Sequence, residues 1–445
     1  MDRRLTDALE RHPGLDDWVV RRHRANGAQV YLAGRRLEAV RRVSREVFEV
    51  EVFNDHARDG ETVRGSATIP VGRDEIGRFP AILDEAVAMA RMVDNPPWPL
   101  PGPLEHPAVE LTDPSVATPD AALPAARDAV DLIRELTDAA PDVRLSAVEL
   151  FIIAIDEEIA NSRGLHGEGT GTQLLLELNL LADGPEGEAE YFRQARARRL
   201  VDLHLSDLVR DGAGLARDAA RAAIPSTRTG PVVIRDLALE QLLGLGVIGD
   251  TGVLLAQCDA STAYAGLSRV AVGEPIHGSR ERRGDALSVR SNARRPFGGL
   301  AYRFDDDGLP GQDLSVIEDG ILVARPATQR YAQYLGIPAT GRPGVAEIAR
   351  GTTPLADLVA DPGVISVHAF SSTNVDPLTG NFGMEIRIGY ESGPSGTRPV
   401  RGGSVTGNLF DALAEARFSA EPGEGYAQAG PLAVRFESLQ IAGSG

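Results

Sequence analysis

The stretch Thr373–Leu413, TNVDPLTGNFGMEIRIGYESGPSGTRPVRGGSVTGNLFDAL, carries the densest pattern in the chain. It begins as a short extended segment and passes through a Gly-rich turn at Thr379-Gly380-Asn381-Phe382. Met384 to Tyr390 then reads as a strand. A polar hairpin leads to the step Arg398-Pro399-Val400, and Thr406-Gly407-Asn408-Leu409 turns the chain into a helix. Glycine permits close backbone approach, and asparagine both donates and accepts. By itself the pattern reads as an ordinary Gly-Asn turn between two strands.

Outward from this stretch, composition sets the bounds. The chain has 445 residues, of which 42% are hydrophobic, which is globular and suggests two or three domains. No apolar run is long enough to cross a bilayer, and Met1-Asp2-Arg3-Arg4 leads into a mixed helix rather than a signal peptide. The expectation is a cytoplasmic protein with no membrane contact. The single cysteine, Cys258, excludes an intrachain disulfide and a multi-cysteine zinc site. A net charge of −18 repels a phosphate backbone, so nucleic acid is not an expected partner. There is no lysine, hence no Walker A lysine and no Schiff-base lysine. A GC-rich genome explains that bias.

Residues 1 to about 25 read as helical. Ala28–Ala33 is a short strand, and Glu46–Phe53 a half-buried one with Phe48, Val50 and Val52 on one face. A helix from about Pro80 presents Ile82, Leu83, Ala86, Val87 and Ala90. Residues 94–107, DNPPWPLPGPLEHP, are too proline-rich for an element interior and read as a linker or a rigid surface segment. Asp120–Asp138 is a second helix. Ala147–Ala160 and Gln173–Ala182 are strands flanking the turn Asn161-Ser162-Arg163-Gly164, an antiparallel pair. Residues 189–223 read as helical with a break near Gly212-Ala213-Gly214, and Val232–Ile234 as a strand. Farther on, Leu300–Phe304 and Ser315–Leu322 read as strands around the acidic turn Asp305-Asp306-Asp307-Gly308. Arg325–Leu335 is a short helix; Ile365–Phe370 and Leu432–Ile441 are strands. The predicted class is α+β: a helix-and-hairpin N-terminal domain, residues 1–222, followed by a strand-rich C-terminal domain, residues 223–445.

Chemistry-bearing motifs are sparse. A zinc peptidase needs two imidazoles on one helix, a third ligand and a carboxylate to activate water. The eight histidines are scattered, and the closest two, His12 and His23, stand eleven positions apart. No local helical pair forms, so no metal ligand is assigned. Gly244-Leu245-Gly246-Val247-Ile248-Gly249 fits G-x-G-x-x-G, which in a dinucleotide fold follows a strand and opens a helix. Here a helical LALEQLL precedes it, and Asp250–Leu255 reads as loop then strand, so a helix end with a glycine loop is the plainer reading. Asp305–Gly308 lacks the first ligand of an EF-hand, with Arg303 in its place, and reads as a turn. Cys258 reads as a buried inert thiol. No G-x-S-x-G elbow exists. The arginine-rich stretch Gly278–Arg295 suits pairing with the chain's excess acid better than an anion site.

The order of Thr379-Gly380-Asn381-Phe382, Arg398-Pro399-Val400 and Thr406-Gly407-Asn408-Leu409, with strand–NSRG–strand some 200 residues earlier and the Phe304–Gly308 turn, resembles the TldD/TldE (PmbA) family of modulators and peptidases. That family has two kinds of subunit. One carries HExxxH on a helix; the other lacks it and pairs with the first. This chain has no such motif and so resembles the TldE kind. The resemblance places Asp236–Leu245 in the slot of the metal helix, with Glu240 near the general-base position. It implies a non-catalytic subunit without cofactor, zinc in a TldD-like metallopeptidase partner, and a heterodimer that trims extended, unfolded or leader-bearing peptides, including natural-product precursors. On that resemblance the Ser371–Gly383 loop borders the substrate channel, and Ser371, Asn374, Gly380, Asn381, Gly383, Gly407 and Asn408 are the candidate residues for holding a peptide or the partner. Two alternatives stay open: an independent nucleotide-binding enzyme using Gly244–Gly249, and a peptide-binding module with no peptidase partner.

Overall fold

The computed structural model describes residues 1–185, 187–243 and 252–443. The glycine loop Gly244–Gly249 lies outside them. The first half opens with α1 (Arg3–Arg11), β1 (Asp17–Ala33), β2 (Arg36–Arg58), β3 (Glu61–Gly72), α2 (Phe79–Ala90) and α3 (Pro119–Asp138). It continues with β4 (Val143–Asn161), β5 (His166–Gly184), β6 (Gly187–Ala197) and α4 (Leu205–Ala219). Its strands form one antiparallel sheet in the order β3-β2-β1-β4-β5-β6. These are long ribbons: the 23 residues of β2 reach roughly 75 Å at a strand's rise.

Period-two alternation decides what the sheet buries. Val148, Leu150 and Ile152 of β4 and Leu174, Leu176, Leu178 and Leu180 of β5 lie under α3 and α4. Those helices answer with Ala126, Val130 and Ile133, and with Val209, Ala213 and Ala216. Each such aliphatic side chain contributes about 1.5–3 kcal/mol by leaving water. At the far end, α2 lays Leu83, Ala86, Val87 and Ala90 over Phe48, Val50, Val52 and Val71.

Two helical expectations give way here. The N-terminal helix stops at Arg11, because His12 precedes Pro13 and is held extended, and β1 starts at Asp17. Residues 189–223 are not one helix: β6 comes first, with Ala189, Tyr191 and Ala197 buried at alternate positions. α4 then runs unbroken through Gly212 and Gly214. Gly212 serves close packing, since a Cβ there would sit 3.2 Å from both Leu180 and Tyr191.

The second half carries β7 (Arg228–Arg235), α5 (Asp236–Leu243), α6 (Gly252–Cys258), α7 (Ala260–Tyr264), β8 (Val289–Asn292), β9 (Asp313–Glu318), β10 (Ile321–Leu322) and α8 (Gln329–Leu335). After these come β11 (Val345–Ile348), α9 (Leu355–Leu358), β12 (Ile365–Val375), β13 (Asn381–Gly393), β14 (Gly396–Val400), β15 (Ser404–Asn408), α10 (Leu409–Leu413), β16 (Arg417–Phe418), β17 (Pro422–Glu424), β18 (Gln428–Pro431) and β19 (Ala433–Ala442). β12, β7, β19, β15 and β13 pair in turn, and β13 returns to β12, so five strands close a ring. A second sheet, β10-β9-β8-β11-β18-β17, packs with it and with α5 and α6 in one core that includes Val232, Ile234, Leu242, Val316, Ile386 and Phe436. The α+β class, with helices and hairpins first and strands dominating after, is as the sequence predicted.

Leu254 and Leu255, expected in a strand, lie in α6. Leu300–Phe304 forms no strand beyond a single bridge, Phe304 to Pro310. The reason is a tertiary contact: the Arg198 guanidinium binds the carbonyls of Gly298, Gly299 and Ala301, leaving them no role in a ladder. The proline-rich segment is a packed seam. Trp98 is buried with Val19, Phe53, Ile159 and Phe304, the Pro101 carbonyl accepts from Asn161 of the NSRG turn at 2.8 Å, and the Pro99 carbonyl accepts from Gln329 of α8 at 3.0 Å.

Candidate functional site

β7 feeds directly into α5 through Asp236, a non-glycine residue at φ 51°. Its carboxylate pairs with Arg235 at 2.7 Å, and its N–H donates to Leu432 at 3.1 Å, which fixes the turn. Ala238, Leu239, Leu242 and Leu243 face the core. Gln241 uses both ends of its amide on Phe370 of β12: Nε2 donates to the carbonyl at 3.1 Å and Oε1 accepts the N–H at 2.9 Å. The Glu240 carboxylate accepts from the Tyr426 N–H at 3.2 Å. Burial pushes this carboxyl above its ordinary range, against the nearby Arg193. The helix expected in this slot is therefore present, and its polar groups are committed to the protein's own backbone.

This donor set does not fit zinc. α5 offers one buried glutamate, one aspartate already paired with Arg235, and no histidine. His368 approaches only Asp236, at 3.8 Å, stacks edge-on against Tyr390 and is held neutral by burial. Among the described residues, the cluster with metal-ligand spacing is Glu158, His166 and Glu168, at the paired ends of β4 and β5. Its oxygens serve ion pairs instead: Glu158 takes the Met1 amine and, at 3.2 Å, Arg22. Burial pushes the Cys258 thiol up to about 12, so it is inert as expected. Most arginines of Gly278–Arg295 pair with acids as expected, Arg280 with Asp411 at 2.8 Å and Arg295 with Glu347 and Glu424 at 3.0 and 2.7 Å, while Arg282 and Arg294 bind the Asp319 and Gly311 carbonyls.

A cavity of ≈ 420 Å3 lies between the two halves, beside the Tyr426 that caps Glu240. Its floor is the sheet face turned away from α3 and α4, with Phe151, Ile153 and Ile155 of β4 and Gly171 and Gln173 of β5. Its roof is the segment Gly299–Arg303, with Arg342 and Tyr426. Arg198 joins floor to roof through the carbonyls already named. No residue of this cavity was singled out from sequence. The available signal was the run Leu150-Phe151-Ile152-Ile153-Ala154-Ile155, apolar on both faces of a strand whose partner strand alternates.

The residues that were singled out lie elsewhere, around the end of the β12–β13 hairpin and its β15 neighbour. Asn374 stands opposite Gly383, Asn381 opposite Asn408, and Phe382 opposite Gly407. Ser371, at a bulge, points its hydroxyl at the Glu385 carbonyl, 3.4 Å away. Asn408 caps α10 by accepting from the Asp411 N–H, and its amide donates to Thr379 and to Asn381 at 2.8 and 2.9 Å. Gly380, at φ 75°, accepts from the Leu409 N–H at 2.8 Å. The structure thus brings Gly380, Asn381 and Asn408 into one knot, while the exposed Asn374 and Ser371 face outward along β12.

Residues 252–443 match the family model of the PmbA/TldA metallopeptidase C-terminal domain. Metalloprotease slr0863 of Synechocystis sp. is 30% identical over 146 residues, a stretch covering 29% of this chain and 30% of that protein. The structure of TldE from Thermococcus kodakarensis superposes with a TM-score of 0.78 at 16% identity, covering 99% of this chain and 100% of that one. A Thermotoga maritima protein described as a modulator of a DNA gyrase gives a TM-score of 0.77 at 18% identity, over 99% of both chains. The C-terminal part of this chain, residues 252–443, is thus a PmbA/TldA-type C-terminal domain by sequence, and the whole chain shares the fold of the TldE structure from end to end.

Proposed function

We propose that this chain is the zinc-free, TldE-like subunit of a two-subunit metallopeptidase, pairing with a TldD-like chain that carries HExxxH. One observation supports this above the rest: α5 fills the slot of the metal helix, yet Asp236, Glu240 and Gln241 are all spent on the protein itself. A helix built this way positions β12 and the Tyr426 loop; it activates no water. The zinc and its bound nucleophile belong to the partner. The metallopeptidase relation of the C-terminal domain and the shared TldE fold agree with such a role. The substrate is an extended peptide, unfolded or leader-bearing, held by backbone hydrogen bonds along an exposed strand, and the assembly works in the cytoplasm. In this reading the Ser371–Gly383 hairpin borders the substrate channel, with Asn374 available to the peptide.

Co-expression with the HExxxH-bearing family member of the same genome tests the proposal. The expected result is co-purification, one zinc per pair, and cleavage of an unfolded peptide by the pair but not by this chain alone. Separate elution of the two chains, or tightly held zinc with peptidase activity in the isolated chain, would overturn it.

A further inference from the structure

The cavity between the two halves is lined by four arginines, Arg196, Arg198, Arg303 and Arg342, and by one acid, Glu157. That balance is unusual in a chain of net charge −18. Many arginines elsewhere sit on carboxylates, as Arg64 does on Asp17 and Asp55 or Arg21 on Glu49 and Glu51, and others, such as Arg325, on backbone carbonyls; what sets the cavity apart is four arginines on one wall. Among the described residues, none of the four cavity arginines has an acid within ion-pair distance. Arg198 is spent on backbone carbonyls. Arg196 reaches the Gln194 amide at 3.2 Å, and Arg303 the Pro107 carbonyl at 3.4 Å.

Arg342 is the most exposed to this imbalance. Its guanidinium stacks on Tyr302 at 4.4 Å, and its Nε is buried without a hydrogen-bond partner. Glu157 offsets only part of this charge: it faces His23 at 3.7 Å and is held ionised by His23, Arg342 and Arg198 together, one carboxylate among four cavity arginines. Charged donors left unmatched at a protein surface cavity are costly unless solvent or a ligand completes them. A guanidinium fork matches a carboxylate, and walls of one sign concentrate the opposite charge. The floor, meanwhile, is apolar: Phe151, Ile153 and Ile155. At ≈ 420 Å3 the space falls in the usual range of roughly 300–1,000 Å3 for small-ligand pockets.

We propose that this cavity is a carboxylate-binding site for a short apolar-acidic peptide segment, with Arg303 and Arg342 meeting the carboxylate and the β4 face taking an apolar side chain. The site goes beyond the subunit pairing above and does not require it. The carboxylate is either a side chain or a free C-terminus, and both present the same group to the arginines.

Titration calorimetry on the full chain decides it, using five-residue peptides of alternating leucine and glutamate. One form has a free C-terminus and one is amidated; a third replaces glutamate by glutamine and is amidated. The acidic peptides should bind, and affinity should fall several-fold between 50 and 300 mM salt, values chosen to span about a twofold change in Debye length. The amidated glutamine peptide should not bind. R303Q with R342Q should weaken binding at least tenfold, while Arg3→Gln on the exposed face of α1 leaves it unchanged. Retained binding of the amidated acidic peptide assigns the side chain; its loss, with binding kept by the free acid, assigns the C-terminus. The proposal fails if no acidic peptide binds, if the glutamine peptide binds as well, or if the folded double variant binds like the parent. The salt and glutamine arms need no variant, so misfolding of R303Q/R342Q does not rescue the idea.

Discussion

Gln241 and Phe370 are joined by two hydrogen bonds, amide to backbone, at 3.1 and 2.9 Å, so that a helix side chain behaves as one more residue of β12. β12 bulges here, between Val367 and Ser372, and the amide supplies the donor and acceptor that the irregular ladder omits. A glutamate in its place keeps one acceptor but, when ionised, loses the donor and confronts the Phe370 carbonyl with negative charge. Gln241→Glu should therefore cost about 1–3 kcal/mol at pH 8. The introduced carboxyl is buried beside a carbonyl, so its folded pKa lies above its unfolded one. Its favourable, protonated form then persists at low pH and is lost as pH rises. Urea midpoints of variant and parent should converge toward pH 5; a deficit independent of pH would contradict the charge argument.

Arg198 has a comparable role between the two halves, holding the Gly298, Gly299 and Ala301 carbonyls at 2.8, 3.0 and 3.0 Å and the Thr172 carbonyl at 3.3 Å. Arg198→Ala strands these acceptors, and a loss of at least about 3 kcal/mol in equilibrium unfolding is expected. Arg198→Lys should recover only part of it, since an ammonium has three donors and no fork. Proteolytic nicking within residues 298–303 should rise in both. Full stability of the alanine variant would show that the seam does not depend on this residue.

Asp305 and Asp307 form an acidic turn whose carboxyls are both pushed up, by burial first; the charge of Asp307 adds to the rise at Asp305, and those of Glu51 and Asp306 add to it at Asp307. A raised acid stabilises the fold below its unfolded pKa, near ~4, and that contribution is lost as pH climbs through the folded value. Asp307 accepts from the Gln329 N–H at 2.9 Å, a bond that an asparagine oxygen can keep. Asp307→Asn should stabilise the protein by about 1 kcal/mol at pH 8, and the gain should shrink toward pH 5. Melting curves across that range measure it; a gain that grows on acidification would reverse the sign.

The hairpin at Gly380 separates structure from binding. A Cβ on Gly380 would lie 2.4 Å from the Phe410 ring, at a φ of 75°, so Gly380→Ala should destabilise by about 1–3 kcal/mol whatever the loop binds. Asn374→Ala with Asn381→Ala instead removes exposed amides, one of which only accepts from Asn408. In the co-expressed pair this double variant should keep the heterodimer and slow peptide cleavage several-fold. An intact pair with an unchanged rate would make the loop a turn and nothing more.

Much of this architecture was legible along the chain. The leucines of Gln173–Ala182 alternate, and they line the sheet's buried face; Pro80 and the 3.6-residue stripe that follows mark α2; the Gly-Asn pairs mark a hairpin and a helix start. Local sterics and hydrogen bonding act over a few residues, so a sequence records them directly. That Asp236–Leu243 carries no histidine pair is likewise a fact of the sequence, since paired helical ligands must be neighbours along the chain. What tertiary structure alone decided involves partners far apart: Arg198 with Gly299, Gln241 with Phe370, Trp98 with Ile159. Whether an arginine finds an acid depends on the whole fold. The four around the cavity look no different in sequence from those that are paired elsewhere. Only the closing of one half over the other gives them a shared wall, with Glu157 as its single acid.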